Sequence, residues 1–190
     1  MFYTLRLLLL PAVLLLAGCG SFLAYMESNA IEDEPGERTL ARQLEDESIE
    51  TKAIVNIHDC DEAFDDAHFD IISHNGYVLL VGQVPSERLK ALATQEVRQL
   101  KGVRRLYNEL EIAAPSSLIT RTSDTWITSK IKAKLLASRS VQGLRVKVVT
   151  EDGSVFLLGL LTEEEQQRAL DKTASVSGVQ RVVNLFETID

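Results

Sequence analysis

The chain has 190 residues, 45% of them hydrophobic and 25% charged, enough apolar material for one medium or two small domains. A formal net charge of −8 argues against nucleic acid as a partner and against adhesion of the whole molecule to an anionic surface. Any such adhesion has to come from a local patch, which acts alone beyond a Debye length of ~8 Å.

Residues 1–18 have the layout of an export signal, with Arg6 followed by the apolar run 7–16. That run is shorter than the ~20 residues a membrane-spanning helix needs. It ends in Leu16-Ala17-Gly18-Cys19, which resembles a bacterial lipobox. The resemblance implies cleavage before Cys19, a diacylglycerol thioether on its sulfur and an acyl chain on its new amino group. The alternative is an ordinary signal peptide with an incidental cysteine. Gly20, rather than Asp, follows the cysteine, which by analogy with lipoprotein sorting favours the outer membrane, facing the periplasm. Residues 19–43, with Glu32-Asp33-Glu34-Pro35-Gly36-Glu37, then read as a lipidated tether. With Cys19 lipidated, Cys60 has no partner for an internal disulfide; it is either a buried small hydrophobe or a lone thiol.

The remainder repeats itself. Asp46-Glu-Ser-Ile49-Glu-Thr-Lys52 matches Asp124-Thr-Trp-Ile127-Thr-Ser-Lys130, and Gly76-Tyr-Val-Leu-Leu-Val-Gly82 matches Gly153-Ser-Val-Phe-Leu-Leu-Gly159. Gly102, Val103 and Asn108 match Gly178, Val179 and Asn184. Each copy, over 44–113 and 118–190, reads as helix, strand, strand, helix, strand with a three-stranded mixed sheet, an α+β (mixed α/β) class.

In the first copy a helix is expected near 47–58 and a strand near 69–73. Asn75-Gly76 supplies a positive-φ hairpin turn into a strand over 77–84. Pro85-Ser86 opens a helix carrying Leu89, Ala93 and Val97, Gly102 reads as its C′ glycine, and 103–112 returns as a strand. Ala114-Pro115-Ser116-Ser117 to Thr122 reads as the linker. In the second copy Asp152-Gly153 makes the turn, Thr162 to Glu165 is a capping box, and Gly178 ends the helix. A right-handed crossover places both helices on one face of each sheet. Gly82 and Gly159 inside strands suggest a bulge or a close helix approach.

The first helix of the second copy, within 123–139, stands apart. Ile127, Ile131 and Leu135 fall in one narrow stripe at about 100° per residue, the core-facing line of an amphipathic helix. Trp126, the only tryptophan, lies off that stripe and Leu136 nearly opposite it, with Ala133 between them. Lys130, Lys132, Lys134 and Arg139 surround them. An outward Trp and Leu among lysines suit an interfacial helix, with a wedge for the headgroup boundary and charge for anionic lipid. The plain alternative is a core helix whose Trp packs against a loop.

The pattern Gly-x-Val-x-Leu-x-Gly, then a helix, Gly-Val, and a strand containing Asn, resembles the BON domain. Two copies behind a lipobox are similar to dual BON-domain outer-membrane lipoproteins, with Asp124-Thr-Trp-Ile-Thr-Ser-Lys130 the most specific stretch. The resemblance implies a non-enzymatic envelope lipoprotein that binds anionic phospholipid through its second domain and supports outer-membrane integrity near division sites.

Equivalent windows separate what the fold requires from what it does not. Residues 124–139 carry Lys130, Lys132, Lys134 and Arg139 against Asp124, a net of +3. Residues 46–61 carry Lys52 against Asp46, Glu47, Glu50, Asp59 and Asp61, a net of −4. Ile49, Ala53 and Ile57 keep the stripe, while Ser48 replaces Trp126, Asn56 replaces Lys134 and His58 replaces Leu136. The first copy therefore reads as a spacer or a protein-docking module.

His58, Cys60 and His68 among Asp59, Asp61, Asp65 and Asp66 match no usual zinc or calcium spacing, and a solvated acidic loop is the simpler reading. No nucleophile elbow and no phosphate-cradling glycine loop is present, so neither catalysis, a small-molecule substrate, a metal nor a cofactor is expected. Three readings from different classes stand: a lipid-binding envelope lipoprotein, an adaptor whose Trp126 helix docks on another envelope or division protein, and, remotely, a hydrolase or metal binder using the histidine loop.

Overall fold

A computed structural model describes residues 36–190, which belong to one compact unit, Pro35–Asp190. The export signal, the Cys19 lipidation and most of the tether lie outside the described residues.

The first copy runs α1 (Leu40–Cys60), β1 (His68–His74), β2 (Tyr77–Val84), α2 (Glu87–Arg98) and β3 (Arg105–Ile112). The second runs α3 (Leu118–Leu136), β4 (Lys147–Glu151), β5 (Ser154–Leu158), β6 (Leu160–Leu161), α4 (Glu163–Ala174), β7 (Arg181–Asn184) and β8 (Glu187–Thr188). Each copy has a three-stranded mixed sheet, β1-β2-β3 and β4-β5-β7, antiparallel at the hairpin and parallel across the helical crossover. In the second copy β6 and β8 extend this sheet as a short parallel pair.

Both hairpin turns have positive φ at both central residues, 54° and 75° at Asn75-Gly76 and 44° and 72° at Asp152-Gly153. This is the geometry whose twist matches the flanking strands. The Thr162–Glu165 capping box is present, with the Thr162 side chain on the Glu165 N–H and the Glu165 carboxylate on the Thr162 N–H.

The structure departs from the sequence reading at several boundaries. Helix α1 starts at Leu40, because Thr39 accepts the Arg42 N–H and serves as N-cap, so residues 40–43 are helical rather than tether. Helix α3 starts at Leu118 with Ser117 as its cap, so the linker ends at Ser117 and not at Thr122. Gly102 and Gly178 are not C′ glycines, since α2 ends at Arg98 and α4 at Ala174. They sit in the following turns, where a Cβ would lie within 3.1 Å of Ile49 Cδ1 and 3.0 Å of Ile127 Cδ1. At Gly82 and Gly159 the crowding group is the backbone of the neighbouring edge segment, not a helix: a Cβ there would lie 2.3 Å from His68 O or Arg145 O.

Strand alternation distributes the core. In β2, Val78 and Leu80 face α1 and α2, joining Ile49, Ala53, Ile57, Leu89, Ala93 and Val97. In β5, Val155 and Leu157 face α3 and α4, joining Ile127, Ile131, Leu135 and Ala169. The other faces of the two sheets meet each other: Ile72, Leu79 and Val81 of the first copy pack with Phe156, Leu158 and Leu185 of the second in a third buried cluster. The order of layers is therefore helices, sheet, sheet, helices, with α1 and α3 on opposite outer sides.

Polar pairs rim this junction. Glu187 receives Arg104 at 2.6 Å and Asn75 Nδ2 at 2.6 Å, and Gln83 Nε2 donates to Glu151 at 2.7 Å. Burial alone would raise the Glu187 pKa, but Arg104 and Asn75 outweigh it and hold the carboxyl below its ordinary range. Besides its own helix-side core, each copy thus shares a third buried cluster with the other.

Candidate functional site

Helix α3 buries Asp124, Ile127, Ile131 and Leu135 along one line, as the 3.6-residue period requires. Its opposite line is bare: Trp126 is 66% exposed, Leu136 55%, Leu118 78% and Ile119 83%. Ala133 is exposed between Trp126 and Leu136. The stretch thus presents an apolar ridge about a helix long, interrupted by the small exposed hydroxyl residues Thr122, Thr125 and Ser129.

Leu118 and Ile119 extend this ridge by two turns, and their place in what reads as linker hides them in the sequence. Ser117 before an apolar pair is the available signal, a helix cap three residues ahead of the Thr120 N–H that it accepts.

The lysines divide between the two flanks. Lys130 Nζ donates to Ser177 O and Lys134 Nζ to Ser175 Oγ, which lays both along the turn after α4. Lys132 is exposed on the opposite flank, and Arg139 follows just past the helix end, also exposed. The aliphatic stems therefore line the ridge on both sides, with the Lys130 and Lys134 ammonium groups held against the turn after α4 and that of Lys132 in solvent.

Asp124, counted among the charges of this window, is not part of the surface. It is 5% exposed and accepts the Asp152 and Gly153 N–H groups at 2.9 Å each, fastening α3 to the hairpin. Asp46 does the same for α1, accepting the Asn75 and Gly76 N–H groups, Ser73 Oγ and Arg38. Burial pushes its pKa up, but these donors together prevail and hold it below the usual carboxylate range. The sequence shows the aspartate repeating; it does not show that its partner is the turn about thirty residues on.

The remaining candidates do not converge. His58 pairs with Asp65 at 2.9 Å and stacks on Phe69, and Phe64 is fully buried, so the acidic loop is packed against the domain rather than wholly solvated. Cys60 is exposed, not a buried hydrophobe. Among the described residues no three His, Cys, Asp or Glu side chains are grouped to hold a metal ion. His74 is buried beside the first hairpin with no hydrogen-bond partner on Nδ1, and burial lowers its pKa to about 4, keeping it neutral. No helix among the described residues is long and apolar enough to cross a membrane.

Comparison with known proteins identifies the repeat. The BON domain matches residues 45–114 and again 123–190. Outer membrane lipoprotein DolP of Haemophilus influenzae is 32% identical over 183 residues, covering 96% of this chain and 95% of that protein. The 21 kDa hemolysin of Actinobacillus pleuropneumoniae is 32% identical over 80% of this chain and 78% of its own length. Osmotically-inducible protein Y of Escherichia coli is 30% identical over 94% of both. Two matched domains over most of the chain, and a relative aligned over nearly its whole length, place this chain in the BON-domain family as a DolP-like lipoprotein.

Proposed function

We propose that the protein is a non-enzymatic, lipid-anchored component of the outer membrane, facing the periplasm, which binds anionic phospholipid through α3 and thereby supports membrane integrity, including at division sites. The observation that carries the reading is the exposed ridge of Leu118, Ile119, Trp126 and Leu136 set between Lys130, Lys132 and Lys134 on a domain of otherwise acidic protein. An apolar ridge enters the headgroup boundary, and each flanking basic residue adds about 1 kcal/mol near an anionic surface. Cys19, if acylated as its lipobox implies, holds this helix within reach of the same leaflet, so that α3 acts at high effective concentration. The name of the Haemophilus influenzae relative supports the location.

The test separates the two contributions. Vesicles of anionic phospholipid are titrated with the soluble chain from Gly20 onward, at two salt concentrations, following Trp126 emission. Trp126→Ala is expected to weaken binding about tenfold or more at both, since its share is hydrophobic. Replacing Lys130, Lys132 and Lys134 with Gln is expected to weaken it mainly at low salt, since that share is screened. Neither change touches the Ile127, Ile131 and Leu135 stripe, so melting temperatures should hold. An emission that stays unshifted on adding vesicles, or binding that needs a second envelope protein, would assign the ridge to an adaptor role instead.

A further inference from the structure

A second set of bare apolar side chains lies on the outward face of α1, the face the duplication equates with the α3 ridge, with Leu40 at the place of Leu118 and Val55 at that of Ala133. Leu40 and Leu44 are each 71% exposed and Val55 59%, in line with one another and opposite the buried Ile49, Ala53 and Ile57. Glu45, Glu47 and Asp59 are exposed around it. Ser48 and Thr51 stand between Leu44 and Val55, and the border of this face is mainly acidic with Lys52 its one exposed lysine, whereas the border of the α3 ridge is basic. Because α1 and α3 occupy opposite outer layers, one molecule cannot bring them together.

We propose that a second copy of this chain occupies the α1 ridge: α1 of one molecule docks antiparallel on α3 of the next, head to tail. Leu44 and Val55 are ~16 Å apart along α1 and Trp126 and Leu136 ~15 Å apart along α3, at about 1.5 Å per residue. One antiparallel register therefore sets Leu44 against Leu136 and Val55 against Trp126. Residues turned to the same rotational side meet in antiparallel helices, so this register also brings Glu45 to Lys134 and Glu47 to Lys132. Glu45 now pairs with Arg42 at 2.6 Å, an exposed contact whose exchange costs little. Lys52 beside Lys130 is the one like-charged approach. A parallel register instead sets Lys132 near Lys52 and aligns the helix dipoles unfavourably. The contact is heterologous, so it extends into chains instead of closing as a dimer. It uses the ridge assigned above to lipid, so anionic membrane and a neighbouring molecule compete for α3, yet the docking itself requires no lipid.

Sedimentation velocity of the soluble chain from Gly20 onward, over a roughly hundredfold range of concentration at low salt, tests this. The sedimentation coefficient is expected to rise with concentration and to fall back when salt is added. Lys132→Glu with Lys134→Glu should weaken the association roughly tenfold or more, as should Glu45→Lys with Glu47→Lys, through like-charge opposition. Mixing the two variants should restore it, because the mixture again contains one intact acidic and one intact basic face. Circular dichroism confirms that each variant is folded. A wild type that stays monomeric throughout, or one whose association neither variant alters, overturns the proposal. Vesicle binding is scored separately: loss of self-association with lipid binding intact rejects this docking alone, and the converse rejects the lipid reading alone.

Discussion

In α1 and α3 the inward stripe is the same, Ile49, Ala53 and Ile57 in one and Ile127, Ile131 and Leu135 in the other, and a buried aspartate ties each helix to its hairpin. The outward faces have diverged in charge and in the one aromatic residue. Where the two copies agree, the agreement follows packing and hydrogen bonding that hold each copy together. Where they differ, the outward ridge residues are largely exposed, so the packing of their own domain does not dictate them. The comparison also shows an asymmetry within the shared features: Asp46 receives four donors, including Arg38, whereas Asp124 receives two backbone N–H groups.

Cutting the molecule between the copies should have the largest effect. A fragment of 118–190 keeps its own helix-side core but exposes Phe156, Leu158 and Leu185, which the first copy covers. Re-exposing three large side chains costs roughly 5 kcal/mol, comparable to the stability of a small domain. The fragment should melt non-cooperatively or self-associate, by calorimetry and amide dispersion. A sharp melt near that of the whole chain would mean that the sheet-to-sheet cluster contributes little and the copies are independent.

The aspartates come next. Asp46→Ala strands Ser73, the two turn N–H groups and Arg38, and should cost about 3 kcal/mol; Asp124→Ala strands two N–H groups and should cost about 1–2 kcal/mol. The Asp46 pKa is depressed in the folded state, so its stabilisation is complete above the unfolded carboxylate range and is lost as pH falls through the lower folded value. Wild type should therefore lose stability in acid in a way that Asp46→Ala does not. Equal melting losses for the two substitutions would show that Arg38 and Ser73 add nothing.

Much of this architecture is legible before any coordinates. Repeated Gly, Asp and Ile positions reveal two copies, and the period of Ile127, Ile131 and Leu135 marks the face of α3 that points inward, hence the face that does not. The sheet-to-sheet core is also written in the sequence, though less openly: Val78-Leu-Leu-Val81 and Val155-Phe-Leu-Leu158 are continuous apolar runs, the mark of strands buried on both faces, where one-sided burial would alternate. The Asp124 contact to Asp152 and Gly153 cannot be read in the same way, because a helix aspartate has no local signature of the turn it will meet. Leu118 and Ile119 escape because Pro115 and the serines read as linker, and a cap is only evident once the helix after it is known.

The smallest expected effect tests whether the aromatic alone distinguishes the copies. Ser48 holds the place of Trp126 on a helix of the same geometry and is only partly buried, so Ser48→Trp should fold, with stability changed by less than about 1 kcal/mol. It restores the wedge without most of the charge: Glu45, Glu47 and a single lysine, Lys52, lie within about one turn, where α3 has Lys130, Lys132 and Lys134 within little more than two. If the membrane reading is right, wedge and charge act together, and the acidic border repels the headgroups before the indole can enter. Combined with Trp126→Ala, to silence the native site, Ser48→Trp should leave binding to anionic vesicles within about twofold of Trp126→Ala alone at low salt. The emission of the introduced indole, then the only one in the chain, should not shift blue. Raising the salt screens the repulsion, so any residual insertion should grow with ionic strength, opposite to the trend for α3. Full recovery of binding at low salt would show that an exposed indole suffices and that the lysines of α3 serve some other purpose.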